Sequence, residues 1–278
     1  MNLKECNDKE NVGIVGYWYA TNYGSVITYC ALYETIKDLG FSPILIDRPE
    51  VWTDREGVDV VSRLFLNRHC RISKSHTWEE IEKLNDLCES FVVGSDQVWT
   101  RDAMHIMRNM FLLNFVHDDK RKIAYSPSFG FDDINIEGEE LDLASRYLHR
   151  FNAISVREDS GRKILANKFM IDAEQNVDPV FLMNISKYDA IADESKYTME
   201  DDYILAYILD PTEDKEKALK KIQNELGKKV HIVLDARFGT FEENVSKLKI
   251  FDKKDVLDDV MVEDWVYLFR HASYIFTD

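Results

Sequence analysis

In the segment AISVRED, Arg157 follows a run whose residues other than Ser155 are apolar, namely Ala153, Ile154 and Val156. A guanidinium at the end of a strand grips a carboxylate or phosphate through paired N–H bonds. The competing reading is a salt bridge to its neighbours Glu158 or Asp159. A second cluster, Ser95, Asp96, Gln97 and Trp99, follows the apolar Phe91, Val92, Val93 and Gly94. There a carboxylate on Asp96 orients a hydroxyl or works as acid or base, and the competing reading is a turn or cap. Asn22, Tyr23, Gly24 and Ser25 follow the first apolar run and precede a helical pattern. They either face an anion at a helix N-terminus or cap that helix. Ser126, Ser128 and Phe129 surround Pro127 in a rigid turn that shapes a cleft wall. Asp178, ahead of Pro179, reads as a turn residue, and His271 as a surface or packing residue. The aromatic loop Tyr17, Trp18, Tyr19, Tyr23 has the faces to stack on a sugar ring.

Other chemistries find no support. Gly13-x-x-Gly16 lacks the spacing of the dinucleotide fingerprint and no phosphate-cradling GxxxxGK[ST] loop occurs, so no nucleotide cofactor is expected. The seven histidines form no HExxH motif and no metal is assigned. Cys6, Cys30, Cys70 and Cys88 form no CxxC pair and are expected as reduced thiols of a cytoplasmic protein.

The reactive residues lie beyond short apolar runs that alternate with helical patterns. VGIVG is a strand, VITYCALYETIKDLG a helix closed by Gly40, and FSPILIDRP a strand, which together open a βαβ unit. Residues 50–90 read as mostly helical, with TWEEIEKLNDLCES the clearest amphipathic stretch. FVV, KIAYSPSFG and AISVRED are further strands, LDLASRYLHRF and SGRKILANKF helices, and NVDPVFLM an extended segment. Residues 184–202 turn polar and aperiodic. YILAYILD, DKEKALKKIQNELG, KKVHIVLDA, VEDWVYLFRHA and SYIFTD then form a second α/β series. We read 1–190 as one Rossmann-like domain, 191–202 as a linker and 203–278 as a partial second domain.

The 278 residues, 45% hydrophobic and 31% charged, suffice for a sizeable core and exclude disorder as the overall state. A net charge of −16 repels phosphate backbones, so no nucleic acid partner is expected. No apolar run approaches the roughly 18 residues of a membrane span, so no integral membrane segment is expected and any membrane connection comes through a substrate or partner. The polar start MNLKECNDKE carries no apolar signal segment.

Taken in order, YATNYGSVITYCALYETIKDLGF, FVVGSDQVW, KIAYSPSFG, ISVREDSG, VDPVFLM and ASYIFTD resemble the polysaccharide pyruvyl transferase family from about Gly13 to Asp278. The resemblance implies an α/β fold of two Rossmann-like domains similar to the glycosyltransferase B type. It also implies transfer of a pyruvyl group from phosphoenolpyruvate to two sugar hydroxyls, with a cyclic ketal formed and phosphate released. Phosphoenolpyruvate is then a donor substrate and no cofactor is implied. The acceptor is a lipid-linked or nucleotide-linked saccharide for the cell envelope, handled in the cytoplasm or at the inner membrane face. Arg157 matches the family's SVRE block and is expected to contact an anion, with Asp96 as its catalytic partner. Asn22, Tyr23, Gly24, Ser25, Ser95, Gln97, Trp99 and Ser128 are expected along the substrate.

In the family pattern a Ser-Phe-His-Gly type segment follows the TD at which this sequence stops, Thr277-Asp278. The second domain is accordingly expected to be incomplete, which puts the activity of this chain in question, and self-association is expected from an open sheet edge. The alternatives are a glycosyltransferase using a nucleotide sugar, or a non-catalytic protein binding a saccharide or partner.

Overall fold

Apolar runs joined by helical crossovers demand parallel sheets. The computed structural model, which describes residues 10–19, 22–49, 60–199, 202–234 and 241–278, contains two of them. Cys6 and the helical reading of residues 50–59 lie outside the described residues. Cys30, Cys70 and Cys88 are free thiols.

The chain divides into two compact units. Among the described residues, 10–18, 25–49 and 66–183 make the first, and 19, 22–24, 60–65, 184–199, 202–234 and 241–278 the second. In chain order the elements of the first half are β1 (Asn11–Val15), α1 (Tyr23–Asp38), β2 (Ser42–Leu45), α2 (Val60–His69), α3 (Leu84–Leu87), β3 (Ser90–Val93), α4 (Arg101–Ile106), β4 (Arg121–Ala124), α5 (Gly138–Leu148), β5 (Ala153–Val156), α6 (Asp159–Phe169) and β6 (Glu174–Gln175). The strands pair in parallel in the order β2-β1-β3-β4-β5-β6, with Ile14 opposite Leu45 on one side and Val92 on the other. β3 is buried along its whole length, as expected of a strand covered on both faces. Because the chain leaves β1 toward β2 and leaves β3 in the opposite direction, the β1–β3 boundary is a topological switch point.

Several local expectations need correction. The helix expected from Val26 starts three residues earlier, at Tyr23. TWEEIEKLNDLCES forms no single helix. It makes a 3-10 turn at Ile81–Lys83 and the four-residue α3 before Cys88 turns extended. The cause is tertiary: buried Asn85 donates to Glu82 O and Phe115 O and accepts from His117 N, which pins the chain where periodicity alone favours continued helix. NVDPVFLM is not extended throughout either, since Pro179–Phe181 is a 3-10 turn with proline at its first position.

The second unit holds α7 (Ile185–Ala192), β7 (Tyr203–Ile208), α8 (Glu213–Leu226), β8 (Lys229–Leu234), α9 (Phe241–Lys247), α10 (Val262–His271) and β9 (Tyr274–Thr277). The strands are parallel in the order β8-β7-β9. α7 falls in the segment read as aperiodic. At two turns it is too short to show a period, although Asn184 caps it by accepting from Ser186 N. α8 is capped by Thr212, whose side chain accepts from Lys215 N, carries Glu213 and Asp214 in its first turn, and stops before Gly227, which has φ of +66°. Two buried carboxylates fasten the loops. Glu216 accepts from the backbone N–H groups of Lys249, Ile250 and Phe251. Asp264 accepts from Ser195 Oγ at 2.7 Å and from Lys196 N and Met261 N. No helix among the described residues is long and apolar enough to cross a membrane.

His231 on β8 packs edge-on against Tyr203 of β7, 5.3 Å between ring centroids. Burial, followed by the charge of Lys229, holds its pKa below the ordinary histidine value of 6.5. The neutral ring is therefore favoured in the folded state, and the unfolded chain takes up a proton that the folded chain refuses. This contribution to stability is complete above the unfolded value and is lost as pH falls from there toward the folded value. His231→Gln is expected to show a smaller drop in urea midpoint between pH 7.5 and 5.5 than the unaltered chain. Equal drops in both would refute the buried neutral imidazole.

Candidate functional site

The carboxyl ends of β1, β3, β4 and β5 line one edge of the parallel sheet, beside the β1–β3 switch point, where open α/β sheets hold ligands. Close packing begins with α1. A Cβ on Gly16 would fall 1.7 Å from Tyr29 Oη, and one on Gly94 would fall 2.9 Å from the same ring and 2.7 Å from Leu32. The two glycines let α1 lie against the strand ends, where Tyr29 Oη donates to Ser95 O at 2.7 Å.

Two loops rise from this floor. After β3, Asp96 adopts φ of +82°, and after β4, Ser126 adopts +53°. Both are left-handed conformations that cost a non-glycine residue free energy and gather at functional sites. The loops are stitched together, because Asp96 O accepts from Ser128 N at 2.8 Å and Ser128 O accepts from Trp99 N at 3.1 Å. Ser126 N donates to Ser155 Oγ, and Ser126 Oγ donates to Val177 O at 3.0 Å. Asp96 is half-buried. One of its carboxylate oxygens accepts from Gln97 N at 2.7 Å. The other takes no hydrogen bond from the described residues.

Arg157 follows β5, and its backbone N donates to Pro127 O. Its side chain is 31% exposed, and the guanidinium donates from Nε to Glu158 Oε1 at 2.8 Å and from Nη1 to Asp178 Oδ2 at 3.3 Å. Burial alone depresses an arginine pKa, but the Glu158 and Asp178 carboxylates outweigh it and raise the value further. Of the five guanidinium N–H donors, the other three take no acceptor among the described residues. The salt bridge to Glu158 is thus present, and with it a partner that local reading placed only in a turn. Asp178 caps the Pro179 turn through Val180 N and also accepts from Thr28 Oγ1 at 3.2 Å and Ser95 Oγ at 2.7 Å. No motif marks Asp178 or Thr28. The available signal was the order of the family blocks, in which VDPVFLM follows SVRE.

Two tyrosines face these acidic groups. Tyr17 is pushed up to about 12 by burial and then by Asp96 and Asp102, and Tyr125 is raised by burial and then by Asp178. Both stay protonated near neutral pH, so they can donate hydrogen bonds but cannot serve as bases.

The structure gives the remaining expected residues other positions. Trp99 is 0% exposed and donates from Nε1 to Phe111 O, so it braces the loop from inside the core and has no face for a substrate. Ser95 and Ser128 are buried, with their hydroxyls engaged by Asp178 and by Gly130 N. Gln97 is exposed beside Asp96. Ser25 lies inside α1 rather than before it, is buried, and donates from Oγ to Tyr17 O. Asn22, Tyr23 and Gly24 group with the second unit. There Tyr23 is buried, donates to Val260 O at 2.7 Å and stacks on Trp265 at 6.0 Å, which occupies both its hydroxyl and its ring. Asn22 and Gly24 are half-buried. Trp18 and Tyr19 are buried as well, leaving Tyr17 as the half-exposed ring of the described part of the aromatic loop.

The family model for polysaccharide pyruvyl transferase matches residues 22–278. Among solved structures, UDP-N-acetylglucosamine 2-epimerase from Rickettsia bellii is similar at 11% identity, over 97% of this chain and 74% of that one, with a TM-score of 0.52. UDP-GlcNAc 2-epimerase from Methanocaldococcus jannaschii is similar at 14% identity, over 97% and 78%, with a TM-score of 0.50. At such identities the likeness shows the fold alone: α/β with Rossmann-like parallel sheets, as in the glycosyltransferase B type. No curated protein matches the chain.

Proposed function

From the premise that the chain belongs to the polysaccharide pyruvyl transferase family, a family of transferases, we propose that it transfers a pyruvyl group from phosphoenolpyruvate to two hydroxyls of a saccharide. In this reaction the enol C3 gains a proton and becomes a methyl group. C2 forms bonds to two sugar oxygens and loses its bond to the phosphate ester oxygen. One hydroxyl proton balances C3 and the other leaves with phosphate. The step needs a cation for the donor's carboxylate or phosphate, an acceptor of hydroxyl protons and a wall that excludes water.

The observation that carries the reading is Arg157, which sits at the end of β5 with two N–H groups anchored and three left for an anion. Asp96 supplies a half-buried carboxylate with one oxygen anchored to Gln97 N and one turned to the acceptor hydroxyl. Gln97 and protonated Tyr17 donate hydrogen bonds to the sugar or the donor. Trp99, Ser95 and Ser128 act from behind, holding the loops. The acceptor is a lipid-linked or nucleotide-linked saccharide, met in the cytoplasm or at the inner membrane face.

The test is acceptor-dependent phosphate release from phosphoenolpyruvate with galactose-, glucose- and mannosamine-type saccharides, the product being checked by mass for an added pyruvyl ketal. Sugar transfer from a nucleotide sugar, with phosphoenolpyruvate inert, would replace this reading by glycosyl transfer.

A further inference from the structure

Asp178 collects donors from four places in the first unit: Thr28 on α1, Ser95 after β3, Arg157 after β5 and the Val180 N–H of its own turn. A carboxylate offers about four lone-pair sites, so its capacity is filled and none is left for a substrate hydroxyl. Its contribution is therefore not proton transfer. We propose that Asp178 is a positioning residue for the donor anion. It anchors Nη1 of Arg157 and, through Ser95, ties that anchor to the β3 loop that carries Asp96. The remaining guanidinium N–H groups are thereby held in one orientation at the strand ends. The identity of the anion as phosphoenolpyruvate rests on the pyruvyl-transfer reading, whereas the coupling of Asp178 to Arg157 does not.

Two physical effects of Asp178 oppose each other, and this makes the role testable by sign. Arg157 with Glu158 and Asp178 carries one positive and two negative charges, so removing the Asp178 charge strengthens anion binding if Coulomb attraction alone matters. If Asp178 orients the guanidinium, removing it weakens binding, because a pre-aimed fork loses less freedom on contact.

Asp178→Asn keeps the shape but presents an amide N–H₂ where Arg157 or Ser95 donates. In thermal-shift titrations of the full chain with phosphoenolpyruvate, the Kd is expected to rise about tenfold in Asp178→Asn and about threefold in Ser95→Ala, which leaves the carboxylate in place. Ser95→Ala carries this arm if the asparagine variant does not fold. An unchanged Kd with lowered stability would reduce Asp178 to a structural turn residue, and a tighter Kd would show that its charge acts only by repulsion. Either result overturns the proposal. A urea double-mutant cycle of Asp178→Asn with Arg157→Gln reads the coupling without ligand. About fivefold non-additivity in the unfolding constant is expected, and strict additivity also overturns the proposal. Failure of the unaltered chain to bind phosphoenolpyruvate counts against pyruvyl transfer, and the cycle keeps that failure distinct.

Discussion

Gly16→Ala is expected to destabilise the first unit by about 3 kcal/mol, close to the upper end of what overpacking a core costs. The new Cβ would lie 1.7 Å from Tyr29 Oη and 2.1 Å from its Cζ. Tyr29 is wholly buried, and its ring also lies close to Gly94, where an added Cβ would fall 2.9 Å from Cε1. The ring can escape only by breaking its bond to Ser95 O, which leaves a buried carbonyl without that donor at a further cost of about 1–3 kcal/mol. Because Ser95 is also a partner of Asp178, the damage extends into the candidate site. The control is Gly24→Ala, whose Cβ would meet, among the described residues, only Asn22 Oδ1 at 3.4 Å, within the first turn of α1. It should stay within about 0.5 kcal/mol of the unaltered chain or gain slightly from helix propensity. Urea midpoints of the two variants decide the matter. A harmless Gly16→Ala would mean that α1 does not lie against the strand ends as described.

Arg157→Met is expected to weaken phosphoenolpyruvate binding about 100-fold, or about 2.8 kcal/mol, while costing less than about 1 kcal/mol of stability. The two effects separate because the ion pairs of Arg157 are partly solvated, and such pairs contribute little to folding. A ligand anion in the same place instead loses its cationic partner. Arg157→Lys should recover only part of the loss, since an ammonium keeps the charge but not the planar fork. Equilibrium binding by calorimetry beside urea unfolding checks both halves. A large loss of stability with binding intact would make Arg157 a structural residue.

Much of the fold was legible where local pattern and tertiary demand agree. Val92 and Val93 lie in a strand buried on both faces, and α8 ends at the glycine stop that the sequence marks, Gly227, while its threonine cap, Thr212, lies two residues before the expected start at Asp214. The reading failed where distant residues decide. Asn85 ends α3 through partners at Phe115 and His117, about 30 residues away, and no helical period reports that.

The same logic divides the site. Arg157 was legible because a charge at the end of an apolar strand is locally odd. Asp178 was legible only as a turn residue, and it does cap a turn. Its wider role comes from Ser95 and Thr28, 83 and 150 residues away in the chain. Trp99 and Tyr23 misled in the opposite sense. Aromatic rings beside polar loops have the chemistry of sugar contacts, yet burial among Phe111, Phe129 and Phe151 in one case and Tyr207 and Trp265 in the other turns them inward.

The strand ends of the first unit are expected to bind the pyruvyl donor through Arg157. Isothermal calorimetry of phosphoenolpyruvate into the unaltered chain and into Arg157→Met, with UDP injected in parallel, tests it most directly. One phosphoenolpyruvate site per chain is expected, weakened about 100-fold by the substitution, with no comparable effect of the substitution on any UDP heat. Absence of phosphoenolpyruvate binding, or equal binding by both proteins, would contradict it.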